Sequence, residues 1–328
     1  MTEFTPVHLL TGFLGSGKTT LLQRLLADPA LADTAVLINE FGEVGLDHHL
    51  LERIDGQTVL LPSGCLCCTI RGELADSLRD LLSKRARGTV PPFARVVMES
   101  TGLADPFPVL STLHADPVLR HHLRAGTIVT TVDAVNGCAQ FDRQPESVKQ
   151  VAVADRIVVT KSDLADPAPV EGRIRALNPA APMTRAAEGP LDAGDLLGGA
   201  ETRSIRSWLR ADAPPPPHDA NRHGADIRAF ALSFDRPLDW TAFGLWLTML
   251  LNRHGASVLR VKGILDVEGM DAPVAIHGVQ HLVHPPVHMA AWPDEERCSR
   301  IVFIVQGLDP AAIRRSLDRF LALEVAPA

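Results

Sequence analysis

Gly12-Phe13-Leu14-Gly15-Ser16-Gly17-Lys18-Thr19-Thr20 holds the residue types that grip a phosphate chain. It fits G-x-x-x-x-G-K-[ST], with Gly12, Gly17, Lys18 and Thr19 at the defining positions and Gly15, Ser16 and Thr20 completing the loop. Glycines let successive backbone N–H groups converge on an anion, and a following helix adds the positive end of its dipole. Lys18 would reach the β- and γ-phosphates, and the Thr19 hydroxyl would bind Mg²⁺. The expected ligand is a nucleoside triphosphate. A Gly-rich turn before an ordinary helix is the bland alternative, and the flanks argue against it. Residues 7–10 read as a short buried strand, and Leu21, Leu22, Leu25 and Leu26 share one helix face.

Three further stretches carry chemistry. Gly64-Cys65-Leu66-Cys67-Cys68 places three thiols within four residues. Thiolates suit zinc, but such close positions rarely complete a tetrahedral set, so an outside ligand is expected. Glu40, His48 and His49 are the candidates. The isolated Cys138 and Cys298 read instead as core. Val96-Val97-Met98-Glu99 ends an apolar run in an acid, placed to hold Mg²⁺ or orient a water, and Gly102 just beyond it can offer its N–H to a γ-phosphate. A carboxylate capping a helix is the plainer account of Glu99. Arg156-Ile157-Val158-Val159-Thr160 runs into Lys161-Ser162-Asp163, similar to the N-K-x-D guanine-reading motif of P-loop GTPases, with Thr160 in the Asn position. A carboxylate at Asp163 accepts from guanine N1–H and the N2 amino group, which adenine lacks. A capped turn is the alternative there.

These residues need a frame that gathers loops at one edge. Apolar runs at 35–39, 57–61, 95–99, 127–133 and 156–160 alternate with amphipathic segments such as 73–84 and 109–123. That order predicts an α/β fold, a mostly parallel sheet with helices on both faces, whose ligands sit beyond the carboxyl ends of the strands. From 186 to 225 the pattern collapses into small residues and the run Pro214–Pro217, a connector with one short helix near 202–209. A smaller α+β block follows. It comprises a strand at 227–234, a helix with the stripe Trp240, Phe243, Leu247 and Leu250 and with Trp240, Phe243 and Trp246 read as core, strands at 257–261, 264–267, 274–276 and 300–305, and a helix near 311–323. The expected domains are 1–185, a linker at 186–225, and 226–328. His277, His281, His284 and His288 invite a metal reading, but Pro285, Pro286 and the strand-like context scatter their directions.

Hydrophobic residues at 46% and charged residues at 22% fit an ordinary globular chain of 328 residues. A net charge of −7 argues against a general nucleic-acid binder. No secretory signal is evident, and the longest uncharged helical stretch, 241–251, is far short of the roughly 20 residues a membrane span needs. Five cysteines, three of them crowded together, do not resemble a disulfide framework, so a reducing cytoplasm fits.

Taken in order, Gly12–Thr20, Asn39-Glu40-Phe41-Gly42-Glu43, Gly64–Cys68, Glu99-Ser100-Thr101-Gly102-Leu103-Ala104-Asp105-Pro106 and Thr160–Asp163 resemble the CobW-type metallochaperone P-loop GTPases. Residues 259–264, Trp292 and 301–305 look like that family's C-terminal domain, so the resemblance covers nearly the whole chain. It implies GTP hydrolysis and binding of Zn²⁺, or a related divalent ion such as Co²⁺, for delivery to client metalloproteins. By position, Cys65, Cys67 and Cys68 match the metal motif and Glu40 the acid that joins them. Glu43 and Asp47 fall in the nucleotide-responsive segment. Glu43 is assigned a catalytic part with Lys18 and Glu99, and Asp47 a magnesium part with Thr19 and Glu99. Thr160 departs from the Asn form, which bears on guanine selectivity. Many members carry a long His-rich run between domains; here only His218 and His223 stand near 214–224, against a high-capacity metal store.

The mechanism so implied is a carrier gated by GTP. Phosphate contacts order 39–47, and a shared Glu40 makes nucleotide and metal affinities reciprocal. Turnover is expected to be slow without a client, since no residue reads as an arginine finger. Two other readings stand beside it: a nucleotide-dependent scaffold with a structural zinc, and an ATP-dependent small-molecule kinase. An incomplete ligand set also leaves room for a homodimer sharing the metal.

Overall fold

Val96, Val97 and Met98 are all within 1% of full burial, although side chains along a strand point alternately to opposite faces. Such a strand must be covered by helices on both sides. The computed structural model describes residues 4–39, 59–63, 71–189, 191–198, 227–293 and 297–322. Two units separate by their contacts, Met1–Gly172 with Ala181–Ala200, and Arg173–Ala180 with Glu201–Ala328.

In the first unit the elements run β1 (Thr5–Gly12), α1 (Lys18–Leu26), β2 (Thr34–Asn39), β3 (Val59–Ser63), α2 (Arg71–Ala86), β4 (Arg95–Glu99), α3 (Phe107–Ala115), α4 (Leu119–His122), β5 (Leu123–Asp133), α5 (Gly137–Arg143), α6 (Pro145–Val153), β6 (Arg156–Thr160), α7 (Ala168–Leu177, whose end belongs to the other unit), β7 (Met183–Arg185) and α8 (Ala193–Leu197). The strands form one parallel sheet in the order β3-β2-β4-β1-β5-β6-β7. Because β1 lies between β4 and β5, the loops after all three strands open at the same carboxyl edge, where α/β sheets bind ligands. Leu21, Leu22, Leu25 and Leu26 of α1 are buried against Leu10, Val36, Val97, Val129 and Val158, as their spacing requires.

Some local expectations change. The single helix expected over 109–123 is broken into α3 and α4. Asp116, extended at ψ 124°, precedes Pro117, whose ring disfavours the helical conformation in the residue before it. Asp116 Oδ1 then accepts the N–H groups of Val118 and Leu119 to start α4. The stretch after 186 is not wholly irregular. Asp192 caps α8, and Ala193, Leu196 and Leu197 are buried in the core of the first unit. The short helix expected near 202–209 lies outside the described residues.

The second unit continues with β8 (Ile227–Phe234), α9 (Trp240–His254), β9 (Val258–Leu265), β10 (Val274–Val279), β11 (Leu282–Val283), β12 (Val287–His288), β13 (Ser299–Gln306) and α10 (Pro310–Leu321). Its antiparallel sheet has the order β11-β10-β9-β13-β8, with β12 also on β10. Strands expected at 257–261 and 264–267 are one strand, because Gly263 stays in register between Ile276 and Ile301. Asp239 and Asp309 cap α9 and α10 by accepting Ala242 N–H and Ala311 N–H. The core centres on Phe303, stacked on Phe230 at 5.5 Å and edge-on to Trp246 at 6.2 Å. Phe243 and Trp246 are core as expected; Trp240, at the first turn of α9, is 38% exposed. Cys138 and Cys298 are half-buried rather than core.

Candidate nucleotide site

Gly12 ends β1 with φ 140°, in the region side chains rarely enter. A Cβ there would overlap Thr131 Oγ1 and come within 2.5 Å of the Thr131 carbonyl oxygen. Gly17, at φ 86°, is the N-cap of α1; no side chain caps this helix and no acid occupies its first turn. That is the arrangement in which first-turn N–H groups serve an anion. Ser16, 1% exposed, fixes the loop through Oγ to Thr131 Oγ1 at 2.6 Å. Lys18 arches back over the loop, its Nζ donating to the Phe13 carbonyl at 3.3 Å.

Glu99 closes β4. Its pairing opposite Leu10 of β1 sets the carboxylate level with the start of the glycine loop. There Glu99, 3% exposed, accepts the Thr19 hydroxyl at 2.7 Å. A hydroxyl and a buried carboxylate side by side are hard oxygen donors of the kind Mg²⁺ takes together with phosphate oxygens, so the residues fit that ion. The loop after β4 is pinned to β1 by Ser100, whose N–H donates to Leu10 O and whose Oγ donates to Thr11 Oγ1, both at 2.9 Å. Gly102 then touches the glycine loop directly; a Cβ on it would lie 2.5 Å from Leu14 N.

The loop after β6 meets the same edge. Thr160 Oγ1 donates to Ser16 O at 2.8 Å, so the hydroxyl ties this loop to the phosphate loop across 144 positions of sequence. Lys161 takes φ 56°, an uncommon angle for a side-chain-bearing residue. Its Nζ donates to Asp133 Oδ2 at 2.7 Å. Burial works to raise the Asp133 carboxyl. The bonds from Lys161, the Asn136 side chain and the Val135 N–H outweigh it and hold the group below the usual carboxylate range. Asp163 is exposed. Arg24 of α1 donates to the carbonyls of Ala186 and Gly189, anchoring the segment after β7 beside this loop. Thr101 Oγ1 and Ser162 Oγ are buried with no hydrogen-bond partner among the described residues, one in each strand-end loop.

The fold thus brings Gly12, Gly15, Ser16, Gly17, Lys18, Thr19, Thr20, Glu99, Gly102, Thr160, Lys161 and Asp163 to one edge. Glu40, Glu43, Asp47, Cys65, Cys67 and Cys68, with His48 and His49, lie outside the described residues. In the second unit, His277 and His284 stack at 4.2 Å, while His281 Nδ1 lies 3.0 Å from Leu251 O. Among the described residues no three His, Cys, Asp or Glu side chains converge as a metal site. Thr131, Asp133 and Gln150 were missed from the sequence. Asp133 had a signal, since it ends an apolar strand run in an acid just as Glu99 does. Gln150 is a polar residue on the buried face of α6.

Residues 6–185 match the family described as CobW/HypB/UreG, nucleotide-binding domain, and residues 227–321 match the cobalamin synthesis protein CobW C-terminal domain. The chain belongs to the CobW family. This CobW-family chain is 34% identical over 309 residues to the zinc chaperone YjiA of Escherichia coli, covering 94% of this chain and 96% of that one. It is 31% identical to the zinc chaperone CobW of Pseudomonas aeruginosa, covering 97% and 92%. Its fold matches the crystal structure of Zn(II)-bound YjiA GTPase from E. coli with a TM-score of 0.72, at 29% identity over 97% of this chain and 99% of that one.

Proposed function

We propose that this chain is a GTP-hydrolysing zinc chaperone that passes Zn²⁺ to client metalloproteins, with nucleotide state setting its metal affinity. What carries the reading is the convergence of the glycine loop, Glu99 and the Thr160–Asp163 loop at one sheet edge, in a chain 34% identical to a zinc chaperone across nearly its whole length. In this reading the glycine loop and Lys18 hold the phosphates, and Asp163 reads the guanine edge. Thr19 and Glu99, with Asp47, would hold Mg²⁺, which when bound offsets charge on the phosphate oxygens. Glu99 and Glu43 orient the attacking water, and Gly102 meets the γ-phosphate.

Zinc is the cargo. Cys65, Cys67 and Cys68 supply soft thiolates and Glu40 a fourth donor, a set suited to Zn²⁺ and acceptable to Co²⁺. Because Glu40 stands in the segment that responds to nucleotide, each ligand changes the affinity of the other by the same factor. A GTPase domain and a CobW-like domain are supported by the family matches at 6–185 and 227–321; because α8 packs into the core of the first unit, which extends to Ala200, the connector is shorter than 186–225 and falls after residue 200. The protein works in the cytoplasm without nucleic acid, and a homodimer sharing the metal is compatible with the short ligand set. No described helix is long and apolar enough to cross a membrane.

The test is Zn²⁺ affinity by competition with a chromophoric chelator under reducing conditions, in the presence of Mg²⁺ with a non-hydrolysable GTP analogue, with Mg-GDP, and without nucleotide. A difference of about tenfold, roughly 1.4 kcal/mol, is expected between nucleotide states. Equal affinities in all three states would favour a structural zinc in a nucleotide-dependent scaffold. Preference for ATP over GTP would favour a kinase.

A further inference from the structure

We propose that Gln150 is a positioning residue for the loop that meets the γ-phosphate, and that it sets how well the chain distinguishes GTP from GDP. The assignment rests on the GTPase reading above. Gln150 is wholly buried in α6, a helix whose Val148, Val151, Ala152 and Val153 are also buried, where an apolar side chain would be the ordinary choice. Its side-chain Nε2 gives its two hydrogens to two carbonyls of one short loop, Gly102 at 3.1 Å and Ala104 at 3.0 Å. Its own main-chain carbonyl accepts Thr130 Oγ1 of β5 at 2.9 Å, so the helix turn bearing the amide is itself tied to the sheet.

On its other side the same loop touches the phosphate loop at the Gly102–Leu14 contact. Residues 102–104 are therefore held between the phosphate loop and a buried amide. Moving them breaks two hydrogen bonds to the amide, one of them, at Gly102, buried where an unsatisfied carbonyl is costly. An amide suits this task because one nitrogen satisfies two acceptors. A leucine supplies no donor, and an ionised glutamate would set a carboxylate against two carbonyl oxygens. Fixing this loop matters only to a ligand that reaches it. A triphosphate does, through its γ-phosphate, whereas the phosphates of a diphosphate end at the glycine loop. The consequence is selective: loss of Gln150 weakens GTP binding and hydrolysis and spares GDP.

The test compares the full chain with Gln150→Leu and Gln150→Glu, measuring affinity for GDP and for a non-hydrolysable GTP analogue, and single-turnover GTP hydrolysis. For Gln150→Leu, analogue affinity and hydrolysis should each fall about tenfold, the scale of one or two lost buried hydrogen bonds, while GDP affinity stays within about twofold. Gln150→Glu should show the same split at neutral pH. It should recover part of its hydrolysis relative to wild type as pH falls toward 5, because a buried carboxyl titrates above its ordinary range and donates once protonated. Equal weakening of both nucleotides in the two variants, or no change in either, would overturn the assignment. A wild-type chain that does not hydrolyse GTP would overturn the GTPase reading and the assignment with it.

Discussion

The Thr19 hydroxyl donates to Glu99 Oε1 across 2.7 Å, joining the first turn of α1 to the end of β4 over 80 positions of sequence. Both groups are hard donors, and the bond holds them at a separation one small cation can bridge. Thr19→Ala removes one donor and leaves Glu99 in place. Nucleotide affinity measured with Mg²⁺ should fall by about 1.5–3 kcal/mol, the range for hydrogen bonds to charged groups. Affinity in excess chelator should barely move. An equal loss in both conditions would mean that Thr19 serves the loop's shape and not the cation.

Gly102→Ala should separate binding from turnover. Its Cβ would meet Leu14 N and Leu14 Cα, which are main-chain atoms and cannot swing aside. The loop must therefore retreat from the phosphate loop. GTP hydrolysis is expected to fall by at least about tenfold, with GDP binding close to wild type, since only the γ-phosphate contact is lost. Stopped assays with labelled GTP and equilibrium titration with GDP would read the two effects; unchanged hydrolysis would exclude Gly102 from the site.

Asp163→Asn should redirect base preference. The carboxylate accepts two donors from guanine, whereas an amide offers one acceptor and one donor, which matches the carbonyl at C2 of xanthine. GTP affinity is expected to drop by about 2–3 kcal/mol and XTP affinity to rise. If GTP and XTP weaken together, Asp163 is a turn residue and the base is read elsewhere.

His8 gives a pH dependence to stability. It sits inside β1, 5% exposed, and its Nδ1 accepts the Thr127 N–H at 3.1 Å. Burial, followed by the nearby Arg95 and Arg124, lowers its pKa from 6.5 to about 4. Between those values the unfolded chain binds a proton that the folded chain refuses, so stability is full above pH 6.5 and declines as pH falls toward 4. The contribution lost over that window is about 3 kcal/mol. His8→Asn keeps an acceptor for Thr127 but cannot be protonated there. Denaturant midpoints from pH 7 to 4 should fall less steeply in this variant than in wild type. Parallel slopes would show that His8 is not the group responsible.

Much of the site was legible because its parts are local. The glycine loop is a run of nine residues whose backbone angles depend on its own glycines, and Glu99 and Thr160 stand at the ends of apolar runs that could only be buried strands. The break between α3 and α4 was equally local, written in Asp116-Pro117, but the amphipathic spacing on either side obscured it. Trp240 misled for a related reason. It falls in step with the buried stripe of α9, yet it lies at the first turn, where the helix has only begun to meet its sheet.

The sequence by itself determined which segments bear chemistry, in what order, and that a parallel sheet would bring their ends to one edge. Only the tertiary structure decided which side chains meet. Thr160 reaches Ser16, Gln150 reaches Gly102 and Lys161 reaches Asp133 because the strands stand in the order β3-β2-β4-β1-β5-β6-β7. That order is not a property of any one strand. Buried strands such as 96–98 and 157–159 are nearly interchangeable apolar runs, and their neighbours are selected by the crossover helices and by the packing of both faces together. Partners 28 to 144 residues apart follow from that joint choice.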